Sequence, residues 1–558
     1  MPTITGKRAL LSLLRQEGIS LMFGNPGTTE LPLMDALAVD DEFRYVLCLQ
    51  ESIAMAMADG YARATGGIAA VNLHAAPGVG NAMGMLYDAQ KAGTPILVTA
   101  GQQAHSFSLL EPNLWADLPP MARPLVKWAT EVHGLKDLPR TIHRAVKTAL
   151  APPTGPVFVS LPVDVLNDEA ELDLGVPSRV APRFSADSAA VERAARILAA
   201  ARAPVIVAGD AVAQSDARQE LADIAELLGA PVHFEGETSA EAFPLGHRLF
   251  RGVLLRIGPA VEKALLPHDV LFSAGADLFT MAMPPPSGPV PAGLRMIHLD
   301  TDPWQIAKNY PVEAALFGDP KATLPQLAAA LRAIMDRPAR AAAQSRADAV
   351  AAEIARERAA LEAQADALSS RTPIAPLALM RAVGRALPAD AVVIDETISS
   401  GQGLFQFLRC AGPRAFHGMK GGGIGWGIPA AIGAKLAEVD RPVVALIGDG
   451  SAMYSIQGLW TAAHERLAVV IVIINNRSYR VLKQRLNAMR GLAAQVERYV
   501  AMELTEPAID FVGLARSMGV HAVGVDTLDQ FDAALRAALA RKAPSLLDVR
   551  VDANFKAV

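Results

Sequence analysis

Short apolar runs rich in Val, Ile and Leu recur along this chain, separated by longer stretches with helical spacing. In the first third, Ile19 to Phe23, Tyr45 to Leu49, Ile68 to Leu73, Ile96 to Ala100 and Val157 to Ser160 read as strands, with a helix rich in Ala and Met over Ser52 to Ala64. Strands that are apolar throughout rather than alternating, joined by helices, predict a parallel sheet covered on both faces. A weakly patterned stretch with prolines, Leu174 to Ser185, reads as a linker. A second α/β unit follows, with a strand running into a turn over Pro204 to Gly209 and strands at Val270 to Gly275 and Met296 to Asp300. Arg337 to Ala367, rich in Ala, Arg and Glu, predicts a solvated helical connector, and the βαβ pattern resumes from Thr372 and runs to Leu546 through Arg550. The expected fold class is therefore α/β, with three doubly wound parallel-sheet domains. They span 1–180, 186–336 and 372–558, with the connector over 337–371. The outer two are alike in size and texture, as related domains would be.

Composition narrows the function. A chain of 558 residues, 51% hydrophobic, suits three domains at about 150 residues each. The formal charge of −5 is spread over interspersed signs, with no basic stripe for nucleic acid. Two cysteines form no disulfide framework and point to a reducing compartment. Met1 to Thr5 lacks a secretory pattern, and no apolar run approaches the length of a membrane span. The expectation is a cytoplasmic protein acting on a small molecule.

The chemistry concentrates near the end of the chain. Val443 to Ile447 leads directly into Gly448-Asp449-Gly450-Ser451, and Val469 to Ile474 into Asn475-Asn476-Arg477-Ser478. Two parallel strands would bring Asp449 and Asn476 to one carboxyl edge, where open α/β sheets bind ligands. Both offer hard oxygen ligands suited to Mg²⁺. The N–H groups of Gly450 and Ser451, opening a helix, suit a diphosphate. Gly-Asp-Gly alone also makes ordinary turns; paired with a later Asn-Asn behind a second strand it reads as a magnesium–diphosphate site.

With that pairing the chain resembles the thiamine-diphosphate-dependent 2-oxo acid decarboxylases and synthases. Gly24-Asn25-Pro26-Gly27-Thr28, Gln50-Glu51, Asn72 to Ala76, Gly101-Gln102-Gln103, Arg123 to Trp128 and Trp460 to Ala463 resemble the benzoylformate decarboxylases in particular. The resemblance implies thiamine diphosphate and Mg²⁺ as cofactors. It makes Asp449, Asn476 and Ser478 the metal-binding residues. It assigns Glu51, Ser399, Gly422, Ile424, Gly450, Ser451, Asn476, Ser478 and Tyr479 to the cofactor. Glu51 would hydrogen-bond N1′ of the pyrimidine and thereby activate the thiazolium carbon; Ile424 would wedge under the bent coenzyme, with the Gly422 carbonyl accepting from its 4′-amino group. His74 would exchange protons with intermediates, and Thr28 would hold the substrate carboxylate. From the residues alone, Glu51 is also a helix-start acid, Ser399 an N-cap, His74 a structural turn residue and Thr28 a cap in Gly27-Thr28-Thr29-Glu30.

The match is incomplete. A second histidine expected within Asp277 to Met283 is absent, and Ala282 stands there. Beyond Asn-Asn, where an aromatic residue is expected, the chain has Arg485, with Arg480, Lys483 and Arg490 nearby. These cations are either a solvated helix face or the lining of a pocket enlarged for a polar or anionic substrate. Asn25, Pro26, Gly27, Leu114, Ala282, Val481 and Arg485 are the candidate substrate-pocket residues. The implied activity is non-oxidative decarboxylation of a 2-oxo acid to an aldehyde, with carboligation as a side activity. An acetolactate-synthase-like carboligase, a 2-hydroxyacyl-CoA lyase and a catalytically silent binding protein are the alternatives. A homodimer or homotetramer, with sites at the subunit interface, is the implied assembly.

Overall fold

The computed structural model describes residues 3–282, 288–410, 412 and 414–556. Three six-stranded sheets organise the chain, and a two-stranded antiparallel pair joins Thr3–Thr5 to Glu169–Glu171. By internal contacts the chain divides into two units: 1–180 with 392–400 and 419–558, and 181–391 with 401–418.

In the first unit, the N-terminal sheet runs in the order Arg44–Leu47, Leu21–Gly24, Ala69–Leu73, Ile96–Gln102, Val157–Pro162, Ala129–Glu131, every pairing parallel. The chain leaves the second of these strands on one side and returns on the other. The crevice between the ends of Leu21–Gly24 and Ala69–Leu73 is therefore a switch point of the kind at which such sheets bind ligands. In the C-terminal sheet, Val392–Glu396, Val443–Gly448, Val469–Asn475, Ser545–Arg550 and His521–Val525 lie side by side in parallel register. Val443–Ile447 and Val469–Asn475 are buried along their whole length, the signature of a strand covered on both faces.

The N- and C-terminal parts of this unit share one core. Ile53, Met57, Ile428, Ile432, Ile447 and Ile471 belong to a single buried cluster. The helices Glu51–Thr65 and Gly427–Ala437 pack at backbone distance, as the run of small residues after Gly427 suggests. A Cβ on Gly60 would lie 2.2 Å from the Ala430 carbonyl oxygen, and one on Gly433 1.9 Å from that of Met57. Only glycine fits there. A buried polar cluster pins the same contact. Trp426 Nε1 donates to Asp59 at 2.6 Å, Arg63 pairs with the same carboxylate at 2.9 Å, and the guanidinium lies 4.8 Å from the Trp426 ring. Removing one member of such a cluster typically costs about 3–5 kcal/mol, because a buried charge is left uncompensated.

The second unit holds a parallel sheet ordered Phe250–Val253, Val232–Phe234, Pro204–Ala208, Val270–Ala274, Arg295–Asp300, Ala314–Phe317. The helix Arg337–Ala367 starts where Asp336 accepts from the Ala339 N–H at 2.8 Å. It is less solvated than its composition suggests. Ala343, Ala347, Ile354 and Ala365 are buried, and Gly229 (φ +60°) brings the end of Arg218–Leu228 against the Ala343 carbonyl. Alanine hides its apolar stripe well, because it adds little hydrophobic contrast. Leu174–Ser185 carries no helix or strand, as expected of a linker. No helix among the described residues is long and apolar enough to cross a membrane.

Candidate active site

Three residues singled out in the N-terminal third emerge from adjacent strand ends. Glu51 is the first residue of its helix, where the Gln50 side chain caps the Ser52 N–H at 2.7 Å. Its carboxyl group is buried and accepts from Asn81 Nδ2 at 3.0 Å. Glu51 is thus a helix-start acid, and a specific side chain also orients it. A Cβ on Gly78 would sit 3.1 Å from Glu51 Oε1, so glycine there leaves the carboxyl group room. His74, Gly78 and Asn81 share one face of Ala75–Ala92 by helical spacing.

His74, the N-cap of that helix, faces the turn Thr28–Glu30 across the switch point. Its Nδ1 lies 2.7 Å from Glu30 Oε2 and 3.3 Å from Thr29 Oγ1. Glu30 is buried and also accepts from the Gly27 N–H at 2.9 Å, the Gly101 N–H at 2.9 Å and Thr29 Oγ1 at 2.7 Å. With those donors already on the carboxylate, Nδ1 carries the hydrogen it shares with Glu30, and Nε2 is the nitrogen left for chemistry. Gly27 lies so close that a Cβ would come within 2.0 Å of His74 Nδ1. Thr28 is exposed and is not the cap; Gly27 takes that position, its N–H donating to the Glu30 carboxylate.

On the C-terminal sheet, Asp449 opens a short helix directly after its strand and is buried. Burial raises its carboxyl to about 6 against backbone N–H donors including that of Gly450. Its Oδ2 is enclosed and has no hydrogen-bond partner among the described residues. Asn476 Oδ1 accepts from the Ser478 N–H at 3.0 Å and its hydroxyl at 2.9 Å, which shapes the loop into an Asx-turn. Asp449, Ser451, Asn476 and Ser478 are all buried, and Gly450 lies against the Tyr479 ring. A buried carboxylate oxygen without a donor, among oxygen-bearing side chains, is what a hard divalent cation requires. The donor set fits Mg²⁺.

The loop before Gly427–Ala437 is held at two carboxylates. Asp88 accepts from the Gly423 N–H at 2.9 Å, and burial raises its carboxyl to about 8. Glu396, raised by burial to about 7, accepts from the Gly425 and Gly427 N–H groups at 2.6 Å each and from Ser451. Gly422 is exposed with φ +89°, and Ile424 sits half-buried between the two anchors. Ser399 lies in a turn after Val392–Glu396; no helix begins there, so it is not an N-cap.

Three domain families match this chain: the thiamine pyrophosphate enzyme N-terminal TPP binding domain over residues 4–115, the central domain over 191–327, and the C-terminal TPP binding domain over 399–549. The chain belongs to the thiamine pyrophosphate enzyme family. It is 34% identical to the benzoylformate decarboxylase of Pseudomonas aeruginosa, across 97% of this chain and 98% of that one. A putative acetolactate synthase large subunit of Mycobacterium tuberculosis is 31% identical over 98% of this chain and 99% of its own. Among solved structures, the 4-hydroxybenzoylformate decarboxylase of Rhodococcus jostii superposes with a TM-score of 0.85 at 33% identity, covering 99% of this chain and all of that one. The benzoylformate decarboxylase of Polynucleobacter necessarius reaches 0.88 at 30% identity, with the same coverage.

Within this thiamine pyrophosphate enzyme, the candidate substrate residues are dispersed. Asn25 is half-buried and Pro26 exposed, Gly27 abuts the His74 ring, and Leu114 is half-buried with φ +72°. Ala282 belongs to the other unit, where its N–H donates to the Arg256 carbonyl at 3.0 Å. Met283, the last residue of the segment searched for a second histidine, lies outside the described residues. The basic run after Asn-Asn separates: Lys483 is buried against Glu503 with the Phe555 ring 5.4 Å away, and Arg480 reaches the Asp552 carbonyl at 3.4 Å. Val481 is half-buried and Arg485 is exposed. Glu30, Asn81, Asp88 and Glu396 were not singled out from sequence. The spacing of Asn81 from His74 was a usable signal; the other three act through contacts far apart in the chain.

Proposed function

We propose that this chain decarboxylates a 2-oxo acid non-oxidatively to an aldehyde, using thiamine diphosphate and Mg²⁺. When bound, the coenzyme supplies a nucleophilic carbon and an electron sink for the pair left by departing CO₂. Asp449 Oδ2, Asn476 and Ser478 hold the metal, and Gly450 and Ser451 bind the diphosphate with backbone N–H groups. Glu51, oriented by Asn81, holds a proton at the pyrimidine ring nitrogen. Gly422 would offer its carbonyl to the 4′-amino group, Ile424 would pack against the coenzyme, and Ser399 and Tyr479 would contact the diphosphate. Thr28 seats the substrate carboxylate.

One observation carries decarboxylation in particular: the His74 imidazole anchored through Nδ1 to buried Glu30. Release of an aldehyde needs a proton delivered where CO₂ has left, and a histidine with Nδ1 fixed is positioned to take up a proton at Nε2 and hand it on. A synthase must instead keep that proton away until a second substrate arrives. The carboligase reading is still favoured by the Mycobacterium tuberculosis relative, similar along its whole length. The acyl-CoA reading gains little from the basic run, because Lys483 is already paired.

The active unit is a homodimer or larger, with Glu51 of one subunit completing the metal site of another. Two buried, unbridged cysteines suit a cytoplasmic setting. The test is CO₂ release from aromatic, aliphatic and dicarboxylic 2-oxo acids, with free aldehyde measured by reduction with a coupled alcohol dehydrogenase. One aldehyde per CO₂ is expected. Two molecules of oxo acid consumed per CO₂, with no aldehyde, would replace this reading with the synthase.

A further inference from the structure

The other half of the N-terminal sheet edge carries chemistry that the cofactor does not use. The strands Ile96–Gln102, Val157–Pro162 and Ala129–Glu131 are neighbours, and their carboxyl ends bring His105, Asp164, Glu131 and His133 together. We propose that His105, Glu131 and His133 bind a late first-row divalent cation of the zinc class.

His105 is pre-set as a ligand. Its Nδ1 donates to Asp164 Oδ2 at 2.9 Å, and its backbone N–H donates to the same oxygen at 3.2 Å. The ring is thereby locked with the Nε2 lone pair facing Glu131, whose Oε1 is 3.6 Å away. That separation is too long for a hydrogen bond, and Nε2 is enclosed with no hydrogen-bond partner among the described residues. It is close to the distance of about 3.4 Å between two donors that share one tetrahedral ion with bonds of about 2.0–2.1 Å. Glu131 is held in turn, its other oxygen accepting from Ser160 Oγ at 2.8 Å. One ligand atom from each of His105, Glu131 and His133 lies within 4.8 Å of the others, and the exposed His133 side chain can rotate to close the remaining gap.

Two imidazoles and one carboxylate favour zinc and its neighbours over magnesium or calcium, which prefer oxygen. The Asp164–His105 pair is the carboxylate–histidine arrangement that orients a metal-bound imidazole. Three protein donors leave a fourth position for water. An ion there ties the segment after Gln102 to the edge strand Ala129–Glu131, away from the residues assigned to Mg²⁺.

The test uses the full chain saturated with thiamine diphosphate and excess Mg²⁺. Zn²⁺ is titrated against a competing chelator, and bound metal is counted per chain. One Zn²⁺ per chain is expected. Asp164→Asn should weaken it by roughly 10–100-fold, as changes behind a metal ligand typically do, and His133→Ala by more. Co²⁺ in place of Zn²⁺ should show the intense visible bands of a four- or five-coordinate site, lost in His133→Ala. His133 is exposed, so that variant should melt like the parent without metal. Absence of stoichiometric Zn²⁺, or His133→Ala binding it as tightly as the parent, would overturn the assignment.

Discussion

The N- and C-terminal candidate site edges solve opposite problems. At the N-terminal sheet edge Glu30 and Glu51 are already partnered: Glu30 takes four donors, one of them His74, and Glu51 takes Asn81. At the C-terminal edge Asp449 keeps a buried oxygen with nothing on it. In the proposed reaction the first arrangement orients groups that would move protons and must hold position without a ligand. The second stores an unmet electrostatic demand that a cation would fulfil. A buried carboxylate oxygen is costly alone, so its cost is a measure of the affinity waiting there.

Substitutions at either end should fail in different ways, and the largest effect is expected at the proton-moving end. Glu51→Gln should retain coenzyme yet lose roughly 10²–10⁴-fold in kcat, the usual worth of acid–base help. Coenzyme fluorescence titration beside steady-state rates separates the two, and near-normal turnover would remove Glu51 from its role. At the other end, Asp449→Ala should weaken Mg²⁺-dependent coenzyme retention by more than the roughly 10–100-fold typical of changes behind a metal ligand. Turnover at saturating Mg²⁺ and coenzyme should recover more than in Glu51→Gln; an unchanged metal requirement would contradict the contrast.

Glu30→Gln probes whether the first end is preorganised. An amide offers His74 one acceptor and sets a donor against the N–H groups that Glu30 now serves. A loss of about 10–100-fold in kcat is expected, the equivalent of a charged hydrogen bond worth about 1.5–3 kcal/mol. The pH profile should shift as well, which a merely structural role would not produce.

Asp88→Asn carries a smaller, pH-dependent effect. Burial raises the Asp88 carboxyl to about 8, so from the ordinary carboxylate range up to about pH 8 the folded chain keeps a proton that the unfolded chain releases. This group's contribution is therefore fully present at low pH and lost as pH rises towards 8. Asparagine cannot ionise, so urea denaturation at pH 5 and pH 9 should show a shallower decline than in the parent. Least of all, Arg485→Ala should change stability by no more than about 0.5 kcal/mol, as at most exposed positions. The KM for an uncharged aromatic 2-oxo acid should not move; a rise confined to dicarboxylic substrates would place Arg485 in the pocket.

Much of this was legible in the residues. Val443–Gly448 and Val469–Asn475 announced themselves by apolar runs ending in Asp449 and Asn476, and the helix Arg337–Ala367 by its composition. Such signals are local, carried by neighbours along the chain. Lys483 misled for the same reason: next to Arg480 and Arg485 it reads as part of a charged face, while its partners Glu503 and Phe555 come from later segments.

The buried strands, the helix spans and the oxygen-bearing side chains at the strand ends thus followed from local pattern, because a period of hydrophobicity and a turn chemistry are properties of consecutive residues. Which carboxylate steadies which partner did not. Glu30 meets His74, Asp88 meets Gly423 and Asp59 meets Trp426 only after sheets and helices have packed. The joining of the first and last parts of the chain into one core belongs to the same class, since the run of small residues after Gly427 signals close packing without naming the helix it packs against.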